Sequence, residues 1–467
     1  MKKSGRKNRL RENVLLLDMA AEGKCVARIE EKVYFITGGV PGDRVDILIE
    51  KDKKTYAEAR VYRLLEPSPD RIEPFCQHFG TCGGCKWQNL SYERQLELKT
   101  RQVKDAFERI GKITGGIWHP IIPSEDTSYY RNKLEFTFSD QRWLEKQDME
   151  ESERGSLNGL GFHIPGRFDK ILDVDQCHLQ PDPSNLIRNR VKAYAEKNKL
   201  SFFNLRSQTG LLRNLMIRTT LAGEIMVLLI VTEYNEDVRM LLQDLLLAFP
   251  SITSLQYLIN RKRNDAYSEL EATVFHGKAQ VEEQMENLRF QIGPTSFFQT
   301  NAKQALRLYQ KVLELADPQK DAVVYDLYSG TGTIAQFIAG NARLVVGIEY
   351  VDAAVNDAKS NAAMNNIKNV RFISGDMAKI LNENLIQEYG RPDVLITDPP
   401  RAGMHPSVIE SILILKPFRI VYVSCNPATQ ARDLSMLSFE YEILHIQPVD
   451  MFPHTHHVEN VVLLKKK

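Results

Sequence analysis

The last third of this 467-residue chain alternates strand-like and helix-like segments, and that alternation constrains the fold more than any other feature. Apolar periodicity reads 301–316 as an amphipathic helix, 323–329 as a strand, 333–339 as a helix, 344–348 as a strand, 352–365 as a long helix and 370–373 as a strand. Further strands follow at 394–397 and in the run Arg419-Ile420-Val421-Tyr422-Val423-Ser424-Cys425, with a closing pair at 441–446 and 458–464. This spacing predicts a mostly parallel, doubly wound α/β sheet of the Rossmann-like class. The closing pair predicts an antiparallel hairpin at one edge. In such sheets ligands bind beyond the carboxyl ends of the strands, so the residue after each strand carries the chemistry.

After the first strand, Gly330, Gly332 and Ala335 fit G-x-G-x-x-G/A. The glycines let backbone approach a ligand, and Ala335 lets the helix pack close to the sheet. Glu349 ends the next strand, about 20 residues on, where a carboxylate can accept from ribose hydroxyls. Such a turn is equally compatible with a structural role or with a nicotinamide enzyme. Asp398-Pro399-Pro400-Arg401 weighs against hydride transfer. Its two prolines stiffen the exit from the fourth strand and hold a carboxylate at the sheet edge. The run resembles the fourth motif of methyltransferases that modify nucleobases. Cys425 stands at the mouth of the next strand, before the turn Asn426-Pro427. A lone cysteine usually packs as a small hydrophobe; at this place it is a candidate nucleophile.

Methylating C5 of a pyrimidine calls for such a residue. C5 is a poor nucleophile until a thiolate adds to C6. After methyl transfer a base must remove the C5 proton before the thiolate can leave. Cys425 supplies the first group. Glu459, at the start of the apolar strand in His457-Val458-Glu459-Asn460, is a candidate for the second; the alternative is a solvated strand end.

Five motifs in order, Phe297-Phe298-Gln299-Thr300-Asn301, Asp326-Leu327-Tyr328-Ser329-Gly330-Thr331-Gly332, Asp398-Pro399-Pro400-Arg401, Ser424-Cys425-Asn426-Pro427 and His457-Val458-Glu459-Asn460, resemble the RNA uracil-5-methyltransferase family. The resemblance implies Cys425 as nucleophile, Glu459 as base and S-adenosylmethionine as cofactor. It places Gln299, Tyr328, Glu349 and Asp398, with Gly330, Thr333 and Asp376, around cofactor and target base. Many relatives carry Cys where this chain has Ser329.

The chain has six cysteines. Cys76, Cys82 and Cys85 form C-x5-C-x2-C, with Cys177 far downstream. Four thiolates can hold zinc or an iron–sulfur cluster, and a 3+1 arrangement favours iron–sulfur over the paired spacing common at zinc. The resemblance, closest to the 23S ribosomal RNA branch, implies a [4Fe-4S] cluster. Cys25 has no partner in sequence and is read as core packing. Neither a signal peptide nor a membrane-spanning segment is evident, so a cytoplasmic protein without a membrane partner is expected.

Net charge is +1, so the chain is not basic overall, but residues 1–12 carry six Lys/Arg against one acid. That arm suits phosphate contacts or a solvated tail. Residues 10–67 alternate apolar and polar, with turns at Gly38-Gly39 and Pro41-Gly42, and five short strands predict a small β-barrel. Gly23-Lys24-Cys25-Val26-Ala27-Arg28 and Val40-Pro41-Gly42-Asp43 resemble the TRAM RNA-binding module. The expected division is therefore 1–67 barrel with basic arm, 68–290 mixed α+β domain with the cysteines, and 291–467 catalytic domain. In the middle region, a helix over 92–107 and strands over 133–138 and 224–231 are expected, 145–153 reads as an acidic surface loop, and Arg131 and Lys133 are candidate RNA contacts.

The expectation is a monomeric enzyme methylating C5 of a uridine in 23S ribosomal RNA. The ribosomal choice rests on the family's transfer-RNA branch lacking both barrel and cysteines. A transfer-RNA uridine, an RNA cytosine-5 methyltransferase, a redox protein and a non-catalytic ribosome assembly factor are the alternatives. The cytosine enzymes typically place a second cysteine in the Asp-Pro-Pro motif, and this chain has none there.

Overall fold

The computed structural model describes residues 9–144 and 157–467; the stretch 1–8 of the basic arm and the run 145–153 lie outside them. The N-terminal sheet has six strands, Leu10–Leu15, Asp18–Met19, Cys25–Ile29, Lys32–Thr37, Arg44–Asp52 and Tyr56–Glu66. They are ordered first, fifth, sixth, fourth, third, second. The expected alternation appears as an inner face of Val14, Cys25, Ala27, Ile36, Val45, Ile47, Ala57 and Ala59. Cys25 is fully buried there, as its lack of a partner implied.

The middle region is built on a seven-stranded sheet. Its centre is the antiparallel pair Leu212–Thr219 and Ile225–Val231. Both strands are buried along nearly their whole length, because each face meets a different core. Leu215, Ile217, Val227 and Leu229 pack with the helices Ser184–Lys197 and Glu236–Ala248. Met216, Met226, Leu228 and Ile230 join the core under the C-terminal sheet. The two units thus share apolar packing.

The C-terminal sheet has eight strands in the order Val370–Ser374, Leu344–Glu349, Val323–Leu327, Val394–Thr397, Arg419–Ser424, Glu459–Lys466, Tyr441–Val449, Ile117–Trp118. Only Glu459–Lys466 runs against the others. The closing hairpin therefore forms, but its last strand inserts beside Arg419–Ser424 instead of lying at an edge. Glu459 through Leu464 are all buried, a run that needs cover on both faces. Tyr441–Val449 is itself covered by the short strand Ile117–Trp118 from far upstream.

That strand follows the helix Tyr92–Ala106, which the sequence predicts within the middle region. Val103 and Phe107 are buried in the C-terminal core, against Ala431 and Leu434 of the helix Pro427–Leu437. The segment after the cysteines is thus clamped onto the C-terminal sheet.

Candidate active site

Strand ends deliver the site. Tyr328, Glu349, Asp398 and Cys425 each stand at or just beyond the carboxyl end of a parallel strand, and Asp376 follows the neighbouring Val370–Ser374. Glu459 opens the antiparallel strand, so it emerges at the same edge. Register fixes the match: Ser424 pairs with Asn460, and Tyr422 pairs with Thr397. Cys425, Glu459 and Asp398 are therefore neighbours across three adjacent strands.

The Cys425 turn is rigid. Ser424 Oγ accepts from the Asn426 amide at 3.1 Å. Asn426 caps the helix Pro427–Leu437 by accepting from Ala428 N at 3.1 Å, with Pro427 at the first helical position. Asn426 Nδ2 also donates to the Arg401 carbonyl at 2.9 Å, tying the cysteine turn to the Asp-Pro-Pro-Arg turn.

The electrostatics follow from burial of several acids together. Cys425 is half-buried, and its thiol is pushed up to about 11, first by burial and then by Glu459 and Asp398, with Arg401 opposing. Burial, then the Asp398 charge, raises Glu459 to about 8. Burial raises Asp398 to about 7. Asp326, next to them, is held well above the carboxylate range, first by burial and then by the Asp398 charge, with the Ala335 backbone opposing. Tyr309, from the helix Ala302–Ala316, is buried among the same three carboxyls. His457, beside Arg401, is pushed down to about 3, first by burial, and stays neutral. Arg401 is thus the cation facing Cys425 and Glu459. Its motif carries it to the strand exit, but nothing local in the sequence says that it faces Cys425. Tyr309 had no local signal.

The glycine turn and second strand form a second group. Gly330 has φ +53 and open space where a Cβ would stand, as suits a backbone that a ligand approaches. Gly332 differs: a Cβ there would meet the Phe372 ring at 2.5 Å, so this glycine serves helix-to-sheet packing. Glu349 Oε2 accepts from Gly330 N at 3.0 Å, and Oε1 accepts from Tyr350 N and Val351 N at 2.8 and 2.9 Å. Tyr328 faces this group: its hydroxyl is raised to about 12, first by burial and then by Asp433, Asp376 and Glu349. Asp376 accepts from Ala378 N at 3.0 Å, capping a short helix. Thr333 is buried at the first turn of the helix Thr333–Ala339. Gln299 lies just before the helix Ala302–Ala316, its carbonyl accepting from Asn132 Nδ2 at 3.1 Å.

Cys76, Cys82, Cys85 and Cys177 line one cavity of about 190 Å³, walled by Leu134, Phe162, Val174 and Leu179. Burial raises all four thiols, and Cys85, Cys82 and Cys177 are raised further by other cysteines of the set. Among the described residues no three His, Cys, Asp or Glu side chains converge as a site for a metal ion. Arg131 lines this cavity and also, with Lys133, Arg218 and Phe297, an adjoining one of about 350 Å³ that shares Leu134 and Phe162 with it.

Comparison with known proteins gives the family. Residues 203–467 match the family described as tRNA (Uracil-5-)-methyltransferase, and residues 6–62 match the TRAM domain. The chain is 54% identical to an uncharacterized RNA methyltransferase of Bacteroides thetaiotaomicron, over 96% of this chain and 100% of that one. It is 51% identical to another from Porphyromonas gingivalis, over 96% and 98%. It is similar in structure to Pyrococcus abyssi tRNA (uracil-54, C5)-methyltransferase in complex with S-adenosyl-L-homocysteine, with a TM-score of 0.75 and 29% identity over 96% of this chain and 99% of that one. With its N-terminal TRAM domain and class I methyltransferase fold, the chain belongs to the S-adenosylmethionine-dependent RNA (uracil-5-)-methyltransferase family.

Proposed function

We propose that this RNA uracil-5-methyltransferase acts through a covalent Cys425 adduct on a uridine of 23S ribosomal RNA. The observation that carries the covalent reading is the strand register that puts Cys425, Glu459 and Asp398 at one sheet edge. Burial, Glu459 and Asp398 raise the Cys425 thiol, so the site does not store a thiolate in advance, and the thiol proton passes to ionised Asp398 beside it as sulfur attacks C6. C5 then takes the methyl group that S-adenosylmethionine supplies. Glu459, when ionised, removes the C5 proton, the C5–C6 double bond re-forms and the Cys425 sulfur leaves. Asp398 and Gln299 orient the base, which is flipped from its stack into the cleft. Glu349, Gly330, Tyr328, Thr333 and Asp376 line the cofactor side.

The TRAM barrel, with the basic arm, binds RNA phosphates, and residues 291–467 carry the catalytic domain. The four-cysteine cavity of the 68–290 region holds a [4Fe-4S] cluster; its four thiols and apolar walls support that reading. The protein works in the cytoplasm as a monomer; no helix among the described residues is long and apolar enough to cross a membrane.

A transfer-RNA uridine is the second reading. The Pyrococcus enzyme, named for transfer RNA, matches this chain over nearly the full length of both. Overall architecture therefore does not separate the two substrates, which removes the premise that a transfer-RNA enzyme would lack these N-terminal parts. Mapping 5-methyluridine in ribosomal and transfer RNA, from cells with and without the protein, distinguishes them. A mark lost only from transfer RNA overturns the ribosomal assignment.

A further inference from the structure

Loops normally run over the surface, yet the loop 450–458 that leads into Glu459 is largely buried. Its backbone groups therefore need partners; Phe452 N, Thr455 N and His457 N find them within the loop, and others find them outside it. The Met451 carbonyl accepts from Asn301 Nδ2 at 3.0 Å. That of Phe452 accepts from Lys99 Nζ at 3.0 Å, and that of Pro453 from the Tyr130 hydroxyl at 3.0 Å. The His454 carbonyl accepts from the amides of Lys86 and Trp87 at 2.8 and 3.0 Å. His454 N donates to Gln95 Oε1 at 2.8 Å, and Gln95 Nε2 donates to the carbonyls of Trp87 and Leu90, both at 2.9 Å.

Three of these partners tie the loop to the cysteine region, and Gln95 and Lys99 come from the helix Tyr92–Ala106 that follows it. Lys86 and Trp87 directly follow Cys85. Tyr130 packs in the same core as Cys177. The ring of Phe75, next to Cys76, lies 5.2 Å from that of His454 and 5.3 Å from that of His178, next to Cys177. His454 itself has φ +62, a conformation that persists in a non-glycine residue when its surroundings over-determine it.

We propose that the cysteine segment is a splint for the catalytic base: Gln95 and the Lys86-Trp87 turn are positioning residues that fix the loop 450–458 and, through it, the place at which Glu459 enters the cleft. This rests on Glu459 being the base. Whatever holds Cys76, Cys82, Cys85 and Cys177 together also holds Glu459. Its loss is felt at proton removal, not at RNA or cofactor binding.

The test compares the full chain with Gln95→Met, Cys177→Ser and Glu459→Gln by hydrogen exchange of peptides covering 450–458 and by steady-state kinetics. Gln95→Met, which leaves all the cysteines in place, should exchange faster in that loop. Its kcat should fall by about 10²-fold, the scale of a 1 Å misplacement. KM for RNA and S-adenosylmethionine should hold, and methylated covalent adduct should accumulate as with Glu459→Gln. Cys177→Ser should exchange faster in the same peptides. If Gln95→Met keeps wild-type exchange and kcat while Glu459→Gln stalls, the splint is overturned and the base assignment stands. Unchanged exchange in Cys177→Ser overturns the link to the cysteines. Normal turnover by Glu459→Gln removes the base assignment and the splint with it.

Discussion

The Lys99 ammonium and the Asp450 carboxylate, 351 positions apart in sequence, meet at 2.5 Å with neither side chain exposed. Asp450 also accepts from the Tyr92 hydroxyl at 2.8 Å. The pair pins the helix Tyr92–Ala106 to the start of the loop before Glu459. Removing one partner of a buried pair strands the other charge, which costs about 3–5 kcal/mol, whereas replacing both with apolar residues is often close to neutral. Lys99→Met should therefore unfold at markedly lower urea, and Lys99→Met with Asp450→Leu should recover most of the loss. Equal midpoints for single and double variants would show that the charge is not what matters.

Cys425→Ala and Glu459→Gln should fail differently. Without the thiol no C6 adduct forms, and labelled RNA should show neither methylation nor cross-link on a denaturing gel. Loss of a general base is worth about 10²- to 10⁴-fold, so Glu459→Gln should accumulate a slow band that requires S-adenosylmethionine. Retained methylation in Cys425→Ala would exclude the covalent route.

The pH dependence has a definite sign. Glu459, raised to about 8 first by burial, must be ionised to act, so the single-turnover rate should climb as pH rises through that value. Asp398→Asn removes the next-largest cause and should move the limb to lower pH. Stability runs the other way. The fold favours the protonated forms of Glu459 and Asp398, so their contribution is full below the ordinary carboxyl range and is lost as pH rises through about 7 to about 8. Thermal unfolding of the cofactor-free protein should show Asp398→Asn gaining on wild type over that window. Parallel stability curves would refute the shifted pair.

Glu349→Ala should weaken cofactor binding. A hydrogen bond to a charged group contributes about 1.5–3 kcal/mol, and here the variant also frees the Gly330, Tyr350 and Val351 amides. Titration calorimetry with S-adenosylhomocysteine reads the change. Unaltered affinity would exclude the carboxylate from the ribose side of the cleft.

Purified without oxygen, the protein should be brown and carry iron and sulfide, and Cys82→Ser or Cys177→Ser should lose colour and iron together. Stoichiometric zinc with neither iron nor sulfide in natively loaded protein would replace the cluster with a zinc site.

Neighbouring residues were enough to read the parts of the site. Asn426-Pro427 writes its own helix start, two prolines after Asp398 write their own turn, and the period of apolar residues writes each strand, so Cys425, Asp398 and Glu459 could be set at strand ends from sequence alone. Their register could not. Glu459–Lys466 reads as half of an edge hairpin, and only the need to cover both faces of a run buried from Glu459 through Leu464 puts it beside Arg419–Ser424, where Glu459 meets Cys425. The same holds for Ile117–Trp118 on the sheet edge, for Lys99 against Asp450 and for Tyr309 among the carboxyls. Local propensity and turn chemistry act over a few residues. Burial of apolar faces acts between segments hundreds of residues apart, and it is burial that brings these charges and thiols together and sets which of them carry a proton.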